Sequence, residues 1–387
     1  MKEREYTGTA SAPDAADLAP VQDSEPLPLP ATAIALAGKA RDLLALRDAV
    51  VEAASVGTGL WLSYIFVFVY LFIAVGSITH YDLFLGRRVS LPFLQVDLPL
   101  LGFFWLGPAI FLIVHAYVLL HFVMLAGKVG DFDTELRAQI ADGEVRGRLR
   151  RQLPSNIFVQ FLAGSREMRS GGMGFLLRLI AQISLVMAPI ALLVFFELQF
   201  LPYHDELLSW WHRVAVLADM GLLWALWPSI ARGQTSGLAW REFRRGKIIA
   251  LVCASLAPVV LVTAIATFPG EWVEGGLPSL RLIPWKDQRD KPWRLASLHE
   301  LLVAGEVDLA ARKPKSLWSN RLVLPGFDAI DHTKFDSEAK IESLAATVSL
   351  RTRHLEGAVL TGASLRKADF TAAQLQGAQF DQSDLIE

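Results

Sequence analysis

Apolar positions along this chain follow three patterns: long unbroken runs, stretches with a helical stripe, and a C-terminal beat of one in five. Crossing a hydrocarbon layer of roughly 30 Å takes about 20 helical residues. Five runs reach that length, at about 59–79, 98–126, 174–201, 210–231 and 247–268. The first is uncharged and carries Trp61 and Tyr64 near one end. The second is long enough to tilt or to kink at Pro108, and the third holds Pro189 in its interior. Asp219 interrupts the fourth, whose tryptophans Trp210, Trp211, Trp224 and Trp227 sit near its ends as interfacial belts do. The fifth ends at Phe-Pro-Gly-Glu-Trp.

Striped segments flank these runs. Residues 31–58 place Leu36, Leu43, Leu46 and Val50 on one side of a helix and Lys39, Arg41 and Asp48 elsewhere, which predicts an amphipathic helix before the first span. Pro154 followed by Ile157, Phe158, Phe161 and Leu162 predicts an interfacial helix leading to the third span. Residues 1–30 mix charges with Pro and Ala, lack the apolar core of a signal peptide, and read as a disordered, uncleaved tail.

The beat of five occupies residues 350–387. Leu355, Leu360, Leu365, Phe370, Leu375, Phe380 and Leu385 recur at that spacing, and Ala358, Ala363, Ala368, Ala373, Ala378 and Ser383 keep the same period two places before the later members. Neither a helix nor a single strand has this period, so each unit must turn a corner. The rows EGAVL, TGASL, RKADF, TAAQL, QGAQF and DQSDL resemble the pentapeptide-repeat family. The resemblance implies a right-handed quadrilateral β-helix of four units per coil, with Leu/Phe and the small residues inside. It brings no catalytic residue. Fewer than two coils would leave an adhesive end at Leu385, to be covered by further chain or another subunit. Residues 271–349 read as a connector and cap for the other end, with SLHELLVAGEVDLAAR as a helix and short strands and turns around Pro325 and Gly326.

Composition agrees with a membrane all-α bundle of about five helices. Of 387 residues, 53% are hydrophobic and 20% charged, and mean hydropathy is +0.37. A net charge of −2 gives no footprint for nucleic acid. Cys253 is the sole cysteine, which excludes an intrachain disulfide and any multi-cysteine metal site. Lys and Arg gather in two loops, one from Lys128 to Arg169 and one from Arg232 to Lys247. Retention of basic loops on the cytoplasmic side places the N-terminus inside and the repeats outside a bacterial inner membrane.

Ionisable residues at membrane depth are candidates for function because burying them is costly. Glu197 falls near the outer surface, Asp219 in the outer half, His115 slightly inside the midplane and His121 near the inner surface. A proton or ion path through His115, Asp219 and Glu197 is one reading. The other pairs Asp219 with Arg213 or a backbone group in the bundle and lets Glu197 reach the outer interface and His121 the inner one. Haem ligation lacks a second central histidine, and His204, Asp205, Glu206 and His212 read as a solvated turn rather than a metal site. Gly171–Gly174 lacks the context of a phosphate loop. Some pentapeptide-repeat proteins mimic DNA through an acidic surface, but the outward positions here mix Glu356, Asp369, Asp381 and Asp384 with Arg366 and Lys367. The favoured expectation is a non-enzymatic scaffold, without cofactor or metal, that meets the bilayer and a protein partner or a second copy. A transporter or channel component is the runner-up.

Overall fold

A computed structural model describes residues 31–91, 96–165, 171–232, 246–271, 281–285, 294–329 and 346–385. The expected tail at 1–30, and Arg241, Arg244 and Arg245 of the second basic loop, lie outside the described residues. Helix α1, Ala31–Gly76, joins the expected amphipathic helix and the first span without a break. At 1.5 Å per residue it is about 69 Å long, more than twice the hydrocarbon thickness. A short helix α2, His80–Leu85, and a hairpin of β1, Val89–Leu91, with β2, Val96–Leu98, turn the chain into α3, Leu100–Gln139. Helix α3 continues 12 residues beyond Gly127, where the apolar run ends.

Outside the apolar zone, Asp133 on α3 binds Arg137 at 2.5 Å and also Arg150 of α4, Gly143–Arg151. Gln139 reaches the Lys39 carbonyl of α1 at 3.0 Å. Helix α5, Ile157–Ala163, starts at an Asn156 cap and packs Phe158 on Phe122, with ring centres 4.0 Å apart. The expected interfacial helix therefore braces α1 and α3.

The third expected span is α6, Gly171–Gln182, a π-helical turn at Ile183–Met187, and α7, Ala188–Phe200. Helix α8, Glu206–Arg232, follows. Four helices are long and apolar enough to cross a membrane among the described residues: Arg41–Gly76, Leu100–Gln139, Gly171–Tyr203 and Glu206–Arg232. That is one fewer than expected. The fifth run forms α9, Gly246–Ile265, whose described apolar part, Val252–Ile265, rises only about 21 Å. It still lies antiparallel along α8, because Trp224 donates to Ser255 Oγ at 3.1 Å and Arg213 to the Ala266 carbonyl at 2.9 Å.

Large apolar residues face outward in stripes: Leu62, Phe66, Val69 and Ile73 on α1, and Leu106, Ile110, Ile113, Tyr117, Leu120 and Met124 on α3. Spacings of three and four place each set on one helix face. A soluble helix would turn that face inward, so these stripes suit lipid. The opposite faces close, together with α7, on a buried aromatic core that includes Phe103, Phe104, Phe111 and Phe122 of α3 and Phe196 and Phe200 of α7. Gly107 permits the closest approach, since a Cβ there would stand 2.7 Å from the Phe196 ring.

After α9 come the hairpin β3, Arg281–Trp285, with β4, Arg294–Ser297, then α10, Leu298–Leu302, and the pair β5, Val307–Asp308, with β6, Lys313–Pro314. The helix expected to run on to Arg312 stops at Leu302. Trp318 and Asn320 donate to the carbonyls of Leu302 and Val303, and a Cβ at Gly305 would meet the Ser316 backbone nitrogen at 2.6 Å.

The C-terminal residues wind into a stacked coil. Ser349, His354, Val359 and Ser364 pair in parallel with Asp369, Gln374, Gln379 and Asp384, each 20 residues on. Each unit closes a tight turn in which the residue three places on donates to a Leu or Phe carbonyl, as Ala358 does to Leu355 and Ala378 to Leu375. The third turn position has positive φ throughout: Gly357, Gly362 and Gly377 meet this freely, while Thr352, Lys367, Ala372 and Gln382 adopt it against their preference. Leu350, Leu355, Leu360, Leu365, Ala358 and Ala363 are buried. Phe370, Leu375, Phe380, Ala368, Ala373, Ala378 and Ser383 in the outer turn are half-buried, and Leu385 is 49% exposed.

Part of the expected cap belongs to the coil. Val323 and Asp328 pair in parallel with Val359 and Ser364, and Phe327 closes the same turn onto Leu324 around Pro325-Gly326. Two sides of an earlier turn thus lie beneath the first full one.

Candidate functional site: buried ion pairs and a junction cleft

Prolines inside helices shape the bundle's polar interior. A proline cannot donate to the carbonyl four residues back. Pro189 leaves the Leu185 carbonyl within the π turn without that donor, and His115 Nε2 donates to it at 3.2 Å. Pro108 does the same to Phe104, whose carbonyl accepts from His212 Nε2 at 3.0 Å. Tyr64 adds a hydrogen bond to the Ser184 carbonyl at 2.9 Å and stacks on the His115 ring at 5.6 Å.

The other nitrogen of His115 lies 2.6 Å from Asp219 Oδ1, with both side chains fully buried. Two of the three residues of the expected path are therefore in direct contact. Glu197 stands apart. Its Oε1 accepts from Arg213 Nε at 2.8 Å, while Arg213 Nη1 donates to Glu271 at 2.5 Å. The expected Asp219–Arg213 pair does not form. Six residues of helix separate them by about 9 Å along the axis and point them in different directions. Glu197 is buried rather than reaching the interface, and His121 lies 3.4 Å from the Ala53 carbonyl. Glu271, which sequence reasoning missed, stands just beyond the fifth apolar run, where a charged residue reads as an interfacial flank.

The outer turn does not gather a metal site. Asp205 caps α8 through the Leu208 N–H, His212 turns to Phe104, and His204 turns to Glu356 of the coil. No cluster of three His, Cys, Asp or Glu fit to hold a metal occurs among the described residues.

His204 is instead the centre of the junction. Its ring stacks on Phe268 at 4.9 Å, Nε2 donates to the Asn320 carbonyl at 2.7 Å, and Nδ1 meets Glu356 at 3.2 Å. Asn320 in turn donates to the Thr267 carbonyl at 2.9 Å. Burial works to raise the Glu356 carboxyl, but hydrogen bonds led by that of His204 prevail and hold it below the usual range. Arg353 reaches the Leu83 carbonyl at 2.9 Å and lies over the Tyr203 ring at 4.2 Å. Burial pushes His80 down from 6.5 to about 4, and its neutral Nδ1 accepts from the Val323 N–H at 3.2 Å. Beside these contacts opens a cleft of about 490 Å³, walled by Tyr203, His204 and Phe268 on the bundle and by Arg353, His354 and Glu356 on the coil.

Fold and site define a membrane-embedded helical bundle with a repeat coil seated on one end. Residues 354–385 match the family model described as Pentapeptide repeats (8 copies), so the coil is a pentapeptide-repeat segment. Comparison with curated proteins and with solved structures returned no match.

Proposed function

We propose that this chain is a non-enzymatic scaffold of the bacterial cytoplasmic membrane, whose helical anchor displays a right-handed quadrilateral β-helix to a protein partner or a second copy. In this reading α9 returns along α8 toward the end of the bundle that carries the coil, with the N-terminus in the cytoplasm and the repeats outside. The basic residues of α4 lie at the end of the bundle away from the coil, which supports that orientation.

The observation that carries the reading is the mounting of the coil on the bundle. One face is joined to the bundle through His80, His204, Arg353 and Glu356, whereas the sides expose polar residues such as Thr371, Gln376 and Asp381. A rigid mount with exposed sides is suited to recognition. Photocrosslinkers at the exposed positions Thr371, Gln376 and Asp381 are expected to capture a protein in native membranes. Absence of any adduct from all three would overturn the scaffold reading. A reporter fused after Glu387 is expected to be active only outside the cytoplasm, and cytoplasmic activity would reverse the orientation.

A further inference from the structure

Counting charge in the outer half of the bundle exposes an imbalance. Among the described residues, Asp219, Glu197 and Glu271 are buried carboxyls, and Arg213 is the buried guanidinium that pairs with the two glutamates. The other described titratable groups turned toward them are Tyr64 from α1, His115 from α3 and His212 from α8. Arg178 of α6 is exposed, and Asp205 and Glu206 line the junction cleft. With all histidines neutral, the buried set carries two negative charges in excess. A low-dielectric interior does not tolerate that excess, because uncompensated buried charge binds a counter-charge or is neutralised by protons.

The hydrogen bonds indicate where protons reside. His115 stands between two acceptors, the Leu185 carbonyl and the Asp219 carboxylate, so a proton is needed on each side of the ring. His212 donates from Nε2, while its buried Nδ1 has no partner, so it stays neutral and supplies no compensation. Asp219 Oδ2 and Glu197 Oε2 are likewise buried without a partner, an arrangement least costly when each carboxyl shares or carries a proton.

We propose that the outer half of the bundle is a proton-binding site holding two exchangeable protons, one shared by His115 and Asp219 and one on the Glu197–Glu271 pair beside Arg213. The site stores protons at two places and is distinct from the stepwise path that sequence depth suggested. Glu271 also links it to the junction, because the neighbouring Gly270 lines the cleft, where a Cβ would stand 3.4 Å from Glu356 Oε1.

Linkage makes the site countable, since protons bound by the native state and not by the unfolded one are released on unfolding. The full chain in lipid nanodiscs would be unfolded with sodium dodecyl sulfate in weak buffer at about pH 8, where free carboxyls and histidines are deprotonated. Asp219→Asn and Glu197→Gln are each expected to release about one proton fewer than wild type, and the double variant about two fewer. Release from the double variant equal to that from wild type overturns the proposal. Should Asp219→Asn fail to fold, Glu197→Gln and the wild-type infrared spectrum serve instead. A protonated-carboxyl stretch is expected in folded wild type at neutral pH and is lost in Glu197→Gln, and its absence from wild type also overturns the assignment to the glutamates.

Discussion

Pro108 and Pro189 each strip a helix carbonyl of its usual donor, and in each case a histidine from another helix supplies the replacement. Such pairs give unlike helices a fixed depth relative to one another. Replacing His115 with Ala would leave Asp219 buried without its partner. That change is expected to cost about 3–5 kcal/mol, the cost of breaking a buried pair, as measured by detergent unfolding in lipid. Replacing both residues with Leu is expected to cost far less, because no buried charge is stranded. At this scale the sequence showed which ionisable residues lie at membrane depth but not which ones meet. Helices α3 and α8 run parallel, with Trp105 beside Trp211 and Phe104 beside His212. That alignment brings His115 to Asp219, and no single-helix periodicity contains it.

Among elements, α3 and α7 cross closely at Gly107. A methyl group there would enter the Phe196 ring, so Gly107→Ala is expected to destabilise the bundle by about 1–3 kcal/mol, read from the same unfolding curves. Hydropathy located the four long apolar helices but not their ends. Apolar runs stop where lipid stops, whereas α1 and α3 continue as a polar pair joined through Gln139 and Lys39. Helix α2 was not legible because six residues carry too little periodicity. Its His80 nonetheless predicts a pH response. Between 6.5 and about 4 the unfolded chain takes a proton that native His80 refuses, so stability falls as pH drops through that window. Glu356, held below the usual carboxylate range, adds a further loss as pH falls through its folded value. As pH is lowered across this range, the melting temperature of wild type should fall relative to that of His80→Gln, which lacks this linkage.

For the molecule as a whole, the beat of five was the strongest sequence signal: Leu355, Leu360, Leu365, Ala358 and Ala363 on it are buried, whereas Leu385 is 49% exposed. The underlying half-turn escaped because its large and small positions are exchanged: Phe327 stands where Ala is the rule, and Ala329 where Leu or Phe is. Its pairing with the next turn also spans 36 residues instead of 20, which hides it from any search at fixed period. Space inside the first full turn is narrow, so Ala363→Leu is expected to cost about 1–3 kcal/mol or more from overpacking. Loss of the cooperative coil transition, with the bundle intact, would register it.

Twenty residues per turn also make the coil a ruler. Stacked strands lie about 4.8 Å apart, so inserting one whole turn after Ala363 should raise the outer surface by about that distance and return every side to its original bearing. Inserting a single unit should instead swing the outer surface by one side of the square. Sequences that vary in repeat number by fours would thus change how far from the bilayer they reach, and those that vary by ones would change the direction in which they face.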